Sequence, residues 1–381
     1  MKTASWALAA LALLGCARPH EDLRAADPAV TQPASETRSD GELAWATAGT
    51  VEVSDEGISG ELEIPLPDGL RFFALRVSDA NGVETSEACF HAVHVTTSSG
   101  DELAAPPSDA ASELAGGEGR GVFAFPRDGR SLGDVRGVRA RWAFHDCRFG
   151  GPARRGQVAD LPRAIRIEIA TERAPAPDGS AKLDVVLFGA AEDDALEIAS
   201  SIARDKLGAA GITATFRFEP LAVDAVLRFA PGDSNALDDV RARAVATLIG
   251  ARVVPVIVTP CLVRDDPTGR GWTSPLGWTS HVPGVDARSA AVFVSTGDCP
   301  SALSAGRPLE PAGIGVVIAH EIGHFLGLAH ADRDEALHTG APPSSDIMTA
   351  TPSVLSPAEA AFTPLEARIV SFAPTVRFEA P

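Results

Sequence analysis

The stretch His320-Glu321-Ile322-Gly323-His324-Phe325-Leu326-Gly327-Leu328-Ala329-His330 decides how this chain is read. It has the form H-E-x-x-H-x-x-G-x-x-H. His320 and His324 are one helical turn apart, so on an α-helix both imidazoles leave the same face. Glu321 follows the first histidine and reaches a water on a bound metal without being a ligand itself. Gly327 lets the chain leave the helix through a conformation closed to most residues, which swings His330 back as a third nitrogen. Three histidines leave one tetrahedral position open, the arrangement of a catalytic rather than a structural Zn²⁺. With this composition the full spacing arises by chance in on the order of one chain in 10⁵. The competing reading is a core helix that happens to carry histidines. Ile314, Val316, Val317, Ile318, Ile322, Phe325 and Leu326 do make the segment apolar nearly all round. Imidazoles buried among them need partners, however, and a metal supplies one.

These residues resemble the signature of the metzincin clan of zinc endopeptidases, which continues into a Met-turn downstream. Apart from the initiator, Met348 is the chain's one methionine, in Ser345-Asp346-Ile347-Met348-Thr349. In the clan this methionine lies beneath the zinc-binding histidines as a packed hydrophobic base. The resemblance is tight from Gly313 to Met348, looser over the rest of the C-terminal half, and does not cover the N-terminal half. Astacin-like and serralysin-like members place a tyrosine just after the Met-turn residue as a further ligand. Ala350 stands there and the chain has no tyrosine, which sets it apart from that subgroup. The stretch from His330 to Met348 is longer than the short turn of matrixin-like members and holds Asp332, Asp334 and His338. The subfamily stays open among matrixin-like, reprolysin-like and pappalysin-like relatives. The resemblance implies hydrolysis of a protein or peptide substrate, with Glu321 as general base.

Lys2 followed by the apolar run Ala4 to Leu14 reads as a signal peptide, too short to anchor in a bilayer as a helix. Leu13-Leu14-Gly15-Cys16 resembles a bacterial lipobox, with Cys16 as the lipidated residue; Leu14 is bulky for that position, so secretion without lipid stays open. Residues 17–40, rich in Ala, Pro, Ser and charge, read as a flexible tether. The expectation is therefore an exported protein whose contact with a membrane runs through Cys16. Its net charge of −18 argues against nucleic acid or an anionic membrane surface as partners, because a phosphate footprint needs a basic stripe. Four further cysteines, Cys89, Cys147, Cys261 and Cys299, suggest two disulfides. The favoured pairs are Cys89–Cys147 and Cys261–Cys299, each within one expected domain. No C-x-x-C spacing supports a cysteine metal site.

The remaining chain divides into a β-rich domain at 41–172 and a zinc domain at 173–381, an α+β fold. In the first, Leu62 to Ile64, Arg71 to Val77, Cys89 to Val95, Val135 to Phe144 and Ile165 to Ile169 read as strands between Gly-containing turns. That spacing fits a small β-sandwich interrupted by the low-complexity stretch Ser98 to Arg120. Its role as adhesion module, spacer or pro-domain is open. His91 and His94 are spaced H-x-x-H, but on a strand they face opposite sides. A linker is expected over Thr171 to Ser180, with Pro175 and Pro177.

Beyond it, Leu183 to Phe188, Thr213 to Phe218, Arg252 to Thr259 and Ala290 to Ser295 read as strands. Asp193 to Leu207 and Asp238 to Ile249 read as helices, and the zinc helix starts near Pro311. This order matches the twisted sheet and two helices of a metzincin upper subdomain. The repeat Gly271-Trp272-Thr273-Ser274 and Gly277-Trp278-Thr279-Ser280 either lines a cleft or anchors a loop to the core. His281 beside it is a weaker candidate than His330, as a fourth ligand to a site that the motif already closes. Ser356-Pro357-Ala358-Glu359 and Thr363-Pro364-Leu365-Glu366 each carry a capping-box signature, and the second is expected to open the C-terminal helix of the lower metzincin subdomain. Two rival functions follow from these residues. One is a lipid-anchored binding or adhesion protein that the zinc domain displays. The other is a zinc hydrolase acting on a non-peptide bond.

Overall fold

A computed structural model describes residues 43–379 apart from 82–87, 104–119, 127, 147–150, 159–160, 174–179, 190–193, 231–234, 249–251, 267–270, 281–283, 285–289, 301–305 and 332–343. Cys16, Cys147, His281, Asp332, Asp334 and His338 lie outside the described residues, as do the side chains of Cys89 and His91.

The N-terminal half is built from two antiparallel sheets around one core. Strands β1 (Ala46–Glu52), β7 (Ala164–Arg173), β3 (Leu70–Asp79) and β5 (Arg120–Phe125) form the first sheet in that order. Strands β2 (Leu62–Pro65), β6 (Gly137–Asp146) and β4 (Ala88–Thr97) form the second. The period of two is plain in β6, where Val138, Ala140, Trp142 and Phe144 all enter the core. Phe73, Leu75 and Val77 of β3 and Ile165, Ile167 and Ile169 of β7 meet them from the other sheet. The opposite face of that sheet is also covered, since Phe72, Ala74 and Ala170 pack there with Leu43 and Trp45.

The C-terminal half is a mixed sheet with helices. Strands β8 (Ser180–Gly189), β9 (Ile212–Pro220), β11 (Val253–Thr259) and β15 (Val292–Ser295) run parallel. The strand β14 (Gly277–Thr279) joins β15 antiparallel, and β16 (Arg377–Glu379) joins β8 antiparallel. Parallel neighbours need a crossover, and helix α1 (Asp194–Ala209) supplies the one between β8 and β9. Every residue of β11, Val-Val-Pro-Val-Ile-Val-Thr, is buried, as expected of a parallel strand covered on both faces. One face packs α1 and the helix α3 (Pro311–Phe325) against Val185, Leu187, Val256 and Val294. The other face packs α2 (Asn235–Val245) against Val186, Phe188, Ile257 and Phe293. A three-stranded side sheet of β10 (Leu227–Phe229), β12 (Leu262–Asp265) and β13 (Trp272–Thr273) flanks this layer. The chain is thus α+β, with more sheet than helix.

Two expectations are corrected. Thr171 to Arg173, read as the start of a linker, belong to β7, because Thr171 and Glu172 pair with Phe73 and Phe72. The Ser356 capping signature opens only a single turn. Ala361, five residues on, is drawn into pairing with the Met348 segment, where Ile347 N–H donates to its carbonyl at 3.0 Å and its own N–H donates to Ser345 O at 2.9 Å. The Thr363 signature does open a helix, α4 (Pro364–Ser371), with both bonds of the capping box in place.

Candidate metal centre

Helix α3 starts at Pro311, where a missing N–H costs nothing, and buries every residue from Ile314 to Phe325. Burial on all sides brings His320, Glu321 and His324 into the interior along with the apolar residues. The helix ends at Gly327, whose φ of 104° is a conformation that side chains other than glycine's rarely allow. Past that turn His330 returns to the other two. One nitrogen from each of His320, His324 and His330 lies within 4.8 Å of the others, close enough for one small cation to bridge. Among the described residues no other His, Cys, Asp or Glu group has that geometry.

The surroundings fix what each ring offers. His320 Nδ1 lies 2.7 Å from the carbonyl of Ile347, and His324 Nδ1 lies 2.8 Å from that of Leu328. A carbonyl only accepts, so both Nδ1 atoms carry the proton, which leaves Nε2 as the nitrogen each ring can offer a metal. Burial, and then the neighbouring His324 and His330, hold the His320 imidazolium well below its ordinary pKa. A neutral ring is what a metal ligand must be. Three imidazoles brought this close are a Zn²⁺ donor set. The residues present fit that metal.

Met348, fully buried, packs directly on α3. A Cβ at Gly323 would stand 2.6 Å from its Sδ, so glycine between the two helical histidines is what admits the methionine. The segment is tied down on three sides. Met348 N–H donates to Asp346 Oδ1 at 2.9 Å, Ala331 N–H donates to Met348 O at 2.8 Å, and Ile347 O receives the His320 proton.

The Glu321 carboxylate is nearly buried, and its Oε1 stands 3.9 Å from His320 Nε2. Thr279 Oγ1 lies 2.7 Å from the other carboxylate oxygen, Oε2. Sequence reasoning did not find this contact; the signal available was the second Gly-Trp-Thr-Ser repeat. Trp278 of that repeat is an anchor, its ring 5.0 Å from Phe229 with the Arg264 guanidinium 4.9 Å over its face. Trp272 is more exposed. Cys261 and Cys299 form a disulfide that joins the start of β12 to the loop after β15. His94 is half-exposed, with Nδ1 4.0 Å from Glu102, and joins no metal cluster.

No protein-family model and no curated protein sequence matches this chain. Among solved structures, metalloproteinase-II from Bacteroides fragilis is similar with a TM-score of 0.31 and 13% identity, over 64% of this chain and 64% of that one. Archaemetzincin from Methanopyrus kandleri is similar with a TM-score of 0.30 and 15% identity, over 51% of this chain and 97% of that one. At this distance the metal centre rests on its own geometry, three histidines that can hold one zinc.

Proposed function

We propose that the chain is an exported, zinc-dependent endopeptidase, with a metzincin-like catalytic domain following a β-sandwich module. The observation that carries this reading is a carboxylate, Glu321, buried beside a three-histidine cluster with one oxygen 3.9 Å from a ligand nitrogen. His320, His324 and His330 would hold the ion. When bound, zinc lowers the pKa of a water and polarises the scissile carbonyl. Glu321 takes the proton of the attacking water as the bond from oxygen to the carbonyl carbon forms. It then returns that proton to the leaving amine as the C–N bond breaks.

The test is Glu321→Ala and Glu321→Asp beside the wild type, on casein and with a chelator control. Glu321→Ala should keep its zinc and lose about 10²–10⁴-fold in rate. Glu321→Asp keeps the carboxylate but withdraws it by one methylene, so it should be impaired through misplacement. Full activity in a zinc-loaded Glu321→Ala protein would end this mechanism. If the wild type binds zinc and cleaves no protein, the adhesion or display reading takes its place. We further propose a lipid tether at Cys16. Cys16→Ser should release the protein from membranes, and unchanged fractionation would remove the tether.

A further inference from the structure

The second Gly-Trp-Thr-Ser repeat is the motif that the proposed reaction leaves unused, yet it lies against the proposed general base. Residues i and i+2 of a strand share a face, so in β14 Gly277 and Thr279 face one way and Trp278 the other. The strand is held firmly. Trp278 pairs with Phe293 of β15, Ser280 N–H donates to Ala291 O at 3.0 Å, and Ser295 N–H donates to Leu276 O at 2.8 Å. Trp278 fastens the far face to Phe229 and Arg264.

On the near face, Thr279 Oγ1 stands 2.7 Å from Glu321 Oε2 and 2.9 Å from the main-chain oxygen of the same residue. Neither acceptor can donate when the carboxylate is ionised, so the single hydroxyl proton goes to Glu321 in either case. The charged oxygen is the stronger acceptor. Gly277 bounds the other side. A Cβ there would lie 2.3 Å from Glu321 Oε1 and 2.5 Å from its Cγ. The carboxylate fills the space that a side chain at 277 would need.

We propose that Gly277 and Thr279 form a cradle for the Glu321 side chain. Thr279 is a positioning residue that pins Oε2 and so presents Oε1 to the three-histidine cluster. Glu321 has three side-chain torsions, and the helix backbone fixes none of them. A rigid strand that holds one oxygen and excludes other rotamers supplies the missing restraint, since misplacement by about 1 Å can cost 10²-fold in rate. The kinetic consequence rests on the peptidase reading above; the contact does not.

Full-length, zinc-loaded Thr279→Val, Thr279→Ser and Gly277→Ala decide the matter. Valine keeps the shape and removes the hydroxyl. Its kcat on a casein-derived fluorogenic peptide should fall about 10- to 100-fold, with KM within about twofold and zinc content unchanged. Serine restores the donor and should recover kcat to within a few-fold. Gly277→Ala should lower kcat in the same way, and the Thr279 pair carries the test should the alanine variant not fold. Urea unfolding of Thr279→Val, Glu321→Ala and the double variant closes a thermodynamic cycle that needs no activity. The expected coupling is about threefold or more in the unfolding constant. A wild type that cleaves nothing while the cycle shows coupling removes the peptidase reading and upholds the cradle. Unchanged kcat in Thr279→Val, or a cycle without coupling, overturns the cradle.

Discussion

His320 and His324 ride on a buried helix with both Nδ1 protons tied to carbonyl oxygens, whereas His330 arrives from the turn past Gly327 and is only partly buried. The third histidine is therefore the ligand whose loss separates a metal site from a pair of core histidines. His330→Ala should weaken zinc binding by more than about 100-fold, beyond the 10- to 100-fold typical of an outer-shell partner. His338→Ala should leave the affinity unchanged. Zinc titration with a competing chelator checks both, and equal losses would move the third ligand to His338. The meeting of His320, His324, His330 and Glu321 was legible in the sequence because all four lie within eleven residues, where helix geometry and one glycine fix their relative positions. Thr279 and Gly277 were not legible. They lie more than forty residues earlier, and only the pairing of β14 with β15 brings them to Glu321. The role of Gly323 was equally hidden, since it depends on Met348 reaching the helix from a separate segment.

Helix α4 and the Met348 segment are joined by two buried carboxyl groups, Glu366 and Asp346, each about 1% exposed. Glu366 Oε2 accepts from Thr363 N–H at 2.8 Å as part of the capping box, and its carboxyl also hydrogen-bonds to Asp346. Burial, and then the Asp346 charge, push the Glu366 pKa up to about 7 from an ordinary 4.5. Between these values the folded chain binds a proton that the unfolded chain has released. The stability from this group is complete below about pH 4.5 and is lost as pH rises to about 7, with a slope of at most about 1.4 kcal/mol per pH unit. Glu366→Gln can still accept from Thr363 and donate to Asp346 without titrating. Urea unfolding from pH 5 to 8 should show a decline in the wild type that the variant lacks; parallel curves would show that Glu366 does not hold this proton. The helix itself was legible, because Thr363, Pro364 and Glu366 satisfy a local rule. Ser356, Pro357 and Glu359 satisfy the same rule and yield one turn, because Ala361 pairs with the Met348 segment and Pro364 follows closely. The strands β3, β6 and β7 were legible from their alternating apolar residues. Strand β1 is mostly half-exposed and carries few large apolar residues, and β5 begins where a low-complexity stretch was expected to end.

The described residues belong to one compact unit, and a buried cation shows how its halves are joined. Arg71, on β3 of the N-terminal half, is 3% exposed. Its guanidinium donates to Ser371 O at 3.0 Å, at the end of α4, and to Val376 O and Glu172 Oε1 at 2.9 Å each. The Phe378 ring of β16 lies 4.9 Å from its centre, and Glu172 also pairs with Arg252 ahead of β11. Burial lowers the Arg71 pKa, and the neighbouring Glu172 opposes that shift. Nearby, Phe125 and Pro126 line a small cavity together with Leu326, Gly327, Ile369 and Phe372. The N-terminal half thus borders the turn from which His330 emerges. Such contacts pack the N-terminal half onto α4, β16 and the Gly327 turn. Arg71→Ala would leave one buried carbonyl, one part-buried carbonyl and part of a carboxylate without their donor. Removing one partner of a buried pair costs 3–5 kcal/mol, and the retained Arg252 partner places this case near about 3 kcal/mol. Arg71→Lys should recover only part of the loss, because one ammonium cannot match a planar fork with three acceptors. Calorimetry of the full chain should show one cooperative transition, which Arg71→Ala shifts as a whole or splits in two. Two independent transitions in the wild type, or an Arg71→Ala protein of unchanged stability, would mean that the halves stand apart and that the third histidine is positioned without help from the N-terminal sheets.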